Sequence, residues 1–377
     1  MGVAGGGPGS FIGPVHRAAA RLDGCYELVA GVVSSDPDRA RAAGESLGFA
    51  PDRRYGDVQE MLQAEAARED GIDVLAIMTP NDTHVPYGLL ALERGLDVIC
   101  DKPMARTVEE ASELHRGVDA SGLVFCLTHV YAGYPLVRQA REMVAAGDLG
   151  TVRLVEVTYV QGGNAREDSD PTSPRSVWRK DPDRAGRSLV LGDIGSHAHH
   201  LIRFVTGLEV AEICADVGTA VPNRTFDDAA GALLRMSNGA RGILWATQAA
   251  AGVENSLRLR VSGTGGTLEW DQETPMHLDF KPLDGARQMR TPNGPDATPL
   301  AKHSSRIVAG HPGGFIEAFA NLYRDAAEAI AVRRAGGDPS DILEHLPDAT
   351  DGLRGMEFIE AALRSSDAHG AWVRCTA

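Results

Sequence analysis

The 377-residue chain contains no run of about 18 apolar residues, so no helix in it is expected to span a bilayer. Its opening lacks the basic, apolar and small-residue order of an export signal. Cysteine is scarce: Cys25, Cys100, Cys126, Cys214 and Cys375 are scattered, odd in number and form no CxxC pair. That argues against a disulfide framework or a zinc module and fits reduced thiols in a cytoplasmic chain. Positive charge is in deficit. Lys and Arg number 37 against 52 Asp and Glu, a net charge of -15, which argues against nucleic acid and anionic membrane as partners. The remainder is ordinary for a globular chain, 43% hydrophobic and 24% charged, at a length that suits two domains.

Residues 1–130 alternate short apolar runs with helix-length amphipathic segments. The runs are the start at Gly2, then Tyr26–Ser34, Gly71–Thr79, Leu96–Pro103 and Leu123–His129; the helices are Pro37–Leu47, Asp57–Arg68, His84–Arg94 and Val108–Ala120. This pattern predicts a parallel sheet covered on both faces. Residues 131–377 have another texture. Thr151–Gln161, Glu209–Val217, Asp228–Met236, Arg241–Thr247 and Leu257–Ser262 alternate like half-exposed strands, with one late helix over Phe315–Arg333. An α/β fold follows, with a second domain built on a large, mostly antiparallel open sheet. Asn164–Ser176 and Asp279–Ser305 read as loops, the first a candidate lid.

The opening GVAGGGPGSFIGPVHR places glycines between a strand and a helix, where a backbone approaches a pyrophosphate at a helix N-terminus. Gly5, Gly7 and Gly13 are the candidates, in a spacing wider than the plain GxGxxG. After the second strand, Ser34 and Asp36 stand where an adenosine ribose is gripped. Asp36 favours NAD, whereas the two serines with Arg39 would receive a 2'-phosphate as in NADP; Asp36-Pro37 also reads as a helix cap. Beyond the third and fourth strands, Thr79, Pro80, Asn81 and His84 in TPNDTH and Lys102 in DKP would line a cofactor cleft.

DIGSHAHHLIRF, from Asp193 to Phe204, holds one aspartate and three histidines. On a helix, Asp193, His197 and His200 share a face while His199 points elsewhere. One carboxylate and two imidazoles would suffice for a metal by count, but such sites usually recruit a further ligand from another element, and no metal is expected.

In this order and at this separation, the glycine-rich opening, TPNDTH, DKP and DIGSH, together with GTGGTLEW and HPGGFIEAFANLYRDAAEAI, resemble the Gfo/Idh/MocA family. The resemblance implies an N-terminal Rossmann domain binding NAD or NADP, and a C-terminal domain that binds a polyol or sugar and forms homodimer or homotetramer contacts. It also implies hydride transfer from a secondary alcohol, with Lys102, Asp193 and His197 as catalytic residues. His129, Tyr131, Trp178, Arg179 and His200 are then candidates for substrate contact. Three departures stand out. EKP is DKP here, the last motif aspartate is His200, and Arg187 enters the segment before the motif, adding a charge near the pocket. Two other functions suit the same scaffold: a glycosidase-type hydrolase using NAD transiently, and a nucleotide-sensing regulator without catalysis.

Overall fold

In the computed structural model, which describes residues 1–166 and 178–375, the chain divides into two units. The first comprises Met1–Val130 with Phe319–Leu353, the second Tyr131–Ala318 with Arg354–Ala377. One boundary thus falls after Val130, but the segment 319–353 belongs with the first unit and not with the remainder of 131–377.

The first unit is a five-stranded parallel sheet in the order β2-β1-β3-β4-β5. Its strands are β1 (Gly2–Gly5), β2 (Ala30–Val32), β3 (Val74–Met78), β4 (Asp97–Cys100) and β5 (Phe125–Leu127). A single parallel bridge from Gly31 to Arg54 adds a rung outside β2. With that rung counted as a strand, the order is the 3-2-1-4-5-6 of dinucleotide-binding sheets. The interleaved helices are α1 (Ile12–Leu22), α2 (Pro37–Ser46), α3 (Val58–Ala66), α4 (His84–Glu93) and α5 (Val108–Ser121). Their starts follow local chemistry: the side chains of Asp36, Asp57 and Thr107 accept the N–H of the residue three places on, and Gly122 closes α5 in a left-handed conformation. Strands β3 and β4 are buried along their whole length, the reason they read as unbroken apolar runs. The expected strand over Tyr26–Ser34 shrinks to the three residues that pair with β1.

The second unit is a nine-stranded sheet in the order β13-β12-β11-β10-β6-β9-β8-β7-β14. Its members are β6 (Val152–Val160), β7 (Val210–Gly218), β8 (Ala229–Met236), β9 (Arg241–Thr247), β10 (Ser256–Gly263), β11 (Gly266–Asp271), β12 (Leu278–Pro282), β13 (Gln288–Arg290) and β14 (Val373–Arg374). All neighbours are antiparallel except the central pair β6 and β9. Helices α6 (Pro135–Ala145) and α7 (Ser196–Thr206) lie on one face, α7 against β6, β9 and β10. Val155, Val157 and Tyr159 turn toward those helices, while Leu154, Glu156 and Thr158 take the opposite face. Two long helices, α8 (Phe315–Arg334) and α9 (Ala349–Asp367), precede β14.

One expectation needs correction. Asp279–Ser305 is not a plain loop, since it carries most of β12, all of β13 and a helical turn over Pro299–His303. Strands this short show too few alternations to register as a pattern. The candidate lid, Asn164–Ser176, lies mostly outside the described residues.

Candidate active site

The first unit brings its candidates to the carboxyl ends of the parallel strands, the edge where such sheets bind ligands. Gly5, Gly6 and Gly9 hold φ values of +81°, +67° and +85°, which glycine alone adopts at little cost. Neighbouring backbone closes in on Gly7, where an added Cβ would stand 2.0 Å from the Val33 carbonyl oxygen. Gly6, absent from the sequence candidates, is the turn itself: buried Arg17 reaches back from α1 and donates to its carbonyl at 2.6 Å. Helix α1 then begins without an acidic residue in its first turn and without a cap from the Phe11 side chain. A tight glycine turn running into a helix N-terminus, where Ser10 Oγ accepts the Gly13 N–H at 3.2 Å, fits the pyrophosphate of a dinucleotide.

Ser34 lies two residues beyond β2 and its Oγ accepts the Asp36 N–H at 3.2 Å. Asp36 caps α2, with Oδ1 accepting the Arg39 N–H at 2.9 Å. Thr79 and Pro80 leave β3; the Thr83 hydroxyl lies 2.6 Å from Thr79 Oγ1 and 2.8 Å from the Pro80 carbonyl, and Asn81 is buried. His84 is 1% exposed, and its ring nitrogens lie 2.8 Å from the carbonyls of Pro103 and Thr79. Both ring nitrogens are thereby engaged, so His84 braces the ends of β3 and β4 against each other where a cofactor contact was expected. Lys102 follows β4, and its peptide bond to Pro103 is cis. Asp101 Oδ1 accepts the Lys102 N–H at 2.9 Å and the Thr128 hydroxyl at 3.0 Å, which ties the lysine loop to the end of β5. His129, also buried, comes next in the chain.

The second unit gathers the other group. Asp193 lies in a π-helical turn, Leu191–Gly195, that runs into α7. His197 is 7% exposed and sits one turn further on, its ring edge-on to Tyr131 at 4.9 Å between centroids. The helical segment is anchored at its start by Asp227. That carboxylate accepts the Leu189 and Val190 N–H groups at 2.6 and 3.1 Å and the Ser188 hydroxyl; burial pushes its carboxyl upward against the pull of these donors. Arg179 Nη1 stands 3.7 Å from Asp193 Oδ2 and its guanidinium lies 5.4 Å from the Trp178 ring.

From Asp193 a chain of polar groups crosses to Tyr131. Gln248 Nε2 donates to Asp193 Oδ2 at 2.8 Å and lies 3.4 Å from Gln161 Oε1. Gln161 Nε2 donates to Asn255 Oδ1 at 2.6 Å, which also accepts the Tyr159 hydroxyl at 2.9 Å. Asn255 Nδ2 reaches the Tyr131 hydroxyl at 3.4 Å, and the Tyr131 and Tyr159 hydroxyls bond to each other. Burial raises both phenols above their ordinary range, so they serve as neutral donors and acceptors.

One expectation about charge changes here. His200 is buried and stacks on Phe204 at 5.7 Å. His199 stacks on Phe358 at 4.3 Å, on the side of α7 away from Asp193, as helical spacing predicts. Arg187 adds no free charge to the pocket, because it pairs with Glu360 at 3.0 Å and Asp367 at 3.4 Å. Sequence reading missed Gln161, Gln248, Asn255, Tyr159 and Asp227. Three of them share one edge of the sheet: Gln161 and Gln248 immediately follow β6 and β9, and Asn255 immediately precedes β10, strands that become neighbours only in the fold.

The comparisons agree with this architecture. Residues 1–129 match the oxidoreductase family with an NAD-binding Rossmann fold, and residues 137–269 match the GFO/IDH/MocA C-terminal domain. An uncharacterised oxidoreductase of Bacillus subtilis, YfiI, is 32% identical over 376 residues, covering 98% of this chain and 95% of its own. An oxidoreductase structure from Sinorhizobium meliloti shares 45% identity at a TM-score of 0.89, covering 99% of this chain and 98% of that one. An inositol dehydrogenase homolog from Azotobacter vinelandii, complexed with NADH and myo-inositol, shares 35% identity at a TM-score of 0.91, covering 99% and 96%. The chain belongs to the Gfo/Idh/MocA family of oxidoreductases and carries that family's NAD-binding domain.

Proposed function

We propose that the protein oxidises a secondary alcohol of a sugar, sugar derivative or cyclitol, with NAD as its cofactor. The observation that supports this best is the second unit's polar chain: Asp193 and His197, one helical turn apart, bounded by the hydroxyls and amides of Tyr131, Tyr159, Gln161, Gln248 and Asn255. Neutral groups that both donate and accept suit vicinal hydroxyls. The myo-inositol complex of the Azotobacter homolog supports the same substrate class.

NAD, when bound, supplies the hydride acceptor. The chain's own residues do the rest. Gly5, Gly6, Gly7 and Gly13 admit the pyrophosphate; Ser34 and Asp36 hold the adenosine ribose, the carboxylate disfavouring a 2'-phosphate; Thr79, Pro80 and Asn81 line the nicotinamide side. His197 takes the carbinol proton, the role of a positioned imidazole. The Lys102 ammonium holds the substrate oxygen and stabilises charge developing on it. Asp193 accepts from substrate hydroxyls, and His129, Trp178 and Arg179 complete the contacts. We further propose that a second copy of the chain covers the open sheet face of the second unit.

The test is absorbance at 340 nm with NAD or NADP and a panel of aldoses, uronic acids, glycosides and inositols. Reduced NAD should appear with a neutral polyol. Lys102→Met and His197→Asn should each lower turnover about 100-fold or more while NAD affinity stays within about threefold, and the double variant should be little worse than the worse single one. Wild-type turnover in both single variants would remove the assignment.

A further inference from the structure

We propose that Gln248 is a positioning residue of this site, acting through Asp193; the inference rests on the dehydrogenase reading above. Gln248 directly follows β9 and is 5% exposed. Its backbone is fixed on both sides: its N–H donates to the Asp228 carbonyl at 2.9 Å, and its own carbonyl accepts the Asn164 N–H at 2.9 Å.

The side chain is fixed as well. An amide has one accepting and one donating end, and which way it faces follows from its partners. Asn164 Nδ2 donates to Gln248 Oε1 at 2.8 Å. That occupies the accepting end and leaves the NH2 facing Asp193 Oδ2 at 2.8 Å and Gln161 Oε1 at 3.4 Å. Asn164 therefore sets the direction of the Gln248 amide, and Gln248 sets the rotamer of the carboxylate.

Arg179 also approaches that oxygen, more distant at 3.7 Å and half exposed. A buried amide held at three points is a stiffer guide than an exposed guanidinium with rotamers to lose. The polar chain continues from Gln161 through Asn255 to the Tyr131 hydroxyl, and the Tyr131 ring packs against His197. Asp193 and His197 are thus located twice, by the turn of helix between them and by the chain that Gln248 begins. Groups that must meet a reacting atom gain from being held this way, since a displacement of about 1 Å costs about 100-fold in rate.

A double-mutant cycle tests the role. Gln248→Leu keeps the volume and removes the donor. In the wild-type background it should lower kcat about 10-fold or more with NAD affinity unchanged, as judged by fluorescence titration. In the Asp193→Asn background it should change kcat less than about threefold, because the carboxylate it orients is already gone. Equal losses in both backgrounds would overturn the proposal, since a merely structural residue acts additively. The exchange variant, Gln248→Glu with Asp193→Asn, restores an amide-to-carboxylate bond with the roles swapped. Its thermal midpoint should recover most of what Gln248→Glu alone loses through like-charge repulsion, while turnover stays low. That recovery needs no substrate. If it occurs but no wild-type turnover is found on any polyol, the dehydrogenase reading has failed and the contact has not. If it does not occur, the Gln248–Asp193 contact is wrong.

Discussion

A Cβ on Gly13 would stand 1.9 Å from the carbonyl oxygen of Gly6. Helix α1 packs closely on the glycine turn, and the same Gly6 carbonyl accepts from Arg17, one turn further along that helix. Gly9 is the natural control. Its φ is +85°, but open space surrounds its missing side chain. Gly13→Ala should therefore displace the turn and weaken NAD binding about 10-fold or more. Gly9→Ala should cost only the left-handed strain, about 1 kcal/mol, with binding reduced less. Isothermal titration with NAD on both variants distinguishes them. Equal affinities would show that the turn does not hold the cofactor.

The residues legible in the sequence are those whose job is local. Glycines between a strand and a helix, a lysine fixed by the following proline, and an aspartate and histidine four places apart carry their geometry in their spacing. Their fold partners were legible for the same reason: β3 and β4 are buried on both faces and show as solid apolar runs. The polar chain was not legible, because Gln161, Gln248 and Asn255 are joined only by the neighbour order β10-β6-β9, which no local pattern encodes. His84 misled for a related reason. It stands at a strand end, where ligands bind, but it is also the first residue of α4, and its ring turns back to the carbonyls of Thr79 and Pro103. His200 shares a helix face with Asp193 and His197 and stacks on Phe204.

The uncovered face of the second sheet carries Leu154, Leu233, Ile243 and Trp245, with Trp245 45% exposed and its ring lying over Gly231. Leu233 and Ile243 are direct cross-strand partners, so the patch is continuous across β8 and β9. Much of the nearby charge is already paired within the chain: Arg260 with Glu156 at 2.8 Å and Glu269 at 2.6 Å, Arg235 with Glu212 at 2.7 Å. A continuous apolar patch with pre-paired charges suits a second copy of the chain. Light scattering on the wild type should give a dimer or tetramer, and Trp245→Glu should shift the mass toward the monomer without lowering helix or strand content. A monomeric wild type, or an unchanged mass in the variant, would sink the assignment.

His16, on α1, is fully buried; its Nδ1 lies 2.7 Å from the Tyr323 hydroxyl and its ring meets Phe319 edge-on at 4.8 Å. Burial drives its pKa down to about 4, reinforced by the charges of Arg17 and His84 and opposed by Asp101. The unfolded chain takes up that proton near the ordinary value of about 6.5. Between the two values the unfolded state binds more protons, so stability rises with pH. The contribution of a neutral His16 is complete above about 6.5 and is lost as pH falls toward 4. By linkage the loss between about pH 7 and about pH 4.5 is on the order of 2 kcal/mol. His16→Gln cannot titrate. It should be less stable than wild type at neutral pH through poorer packing, yet it should lose about 2 kcal/mol less on acidification. Urea unfolding of both proteins at the two pH values measures the difference directly. Parallel losses would mean that the acid sensitivity of the first unit lies elsewhere and that His16 takes up its proton as readily in the folded chain as in the unfolded one.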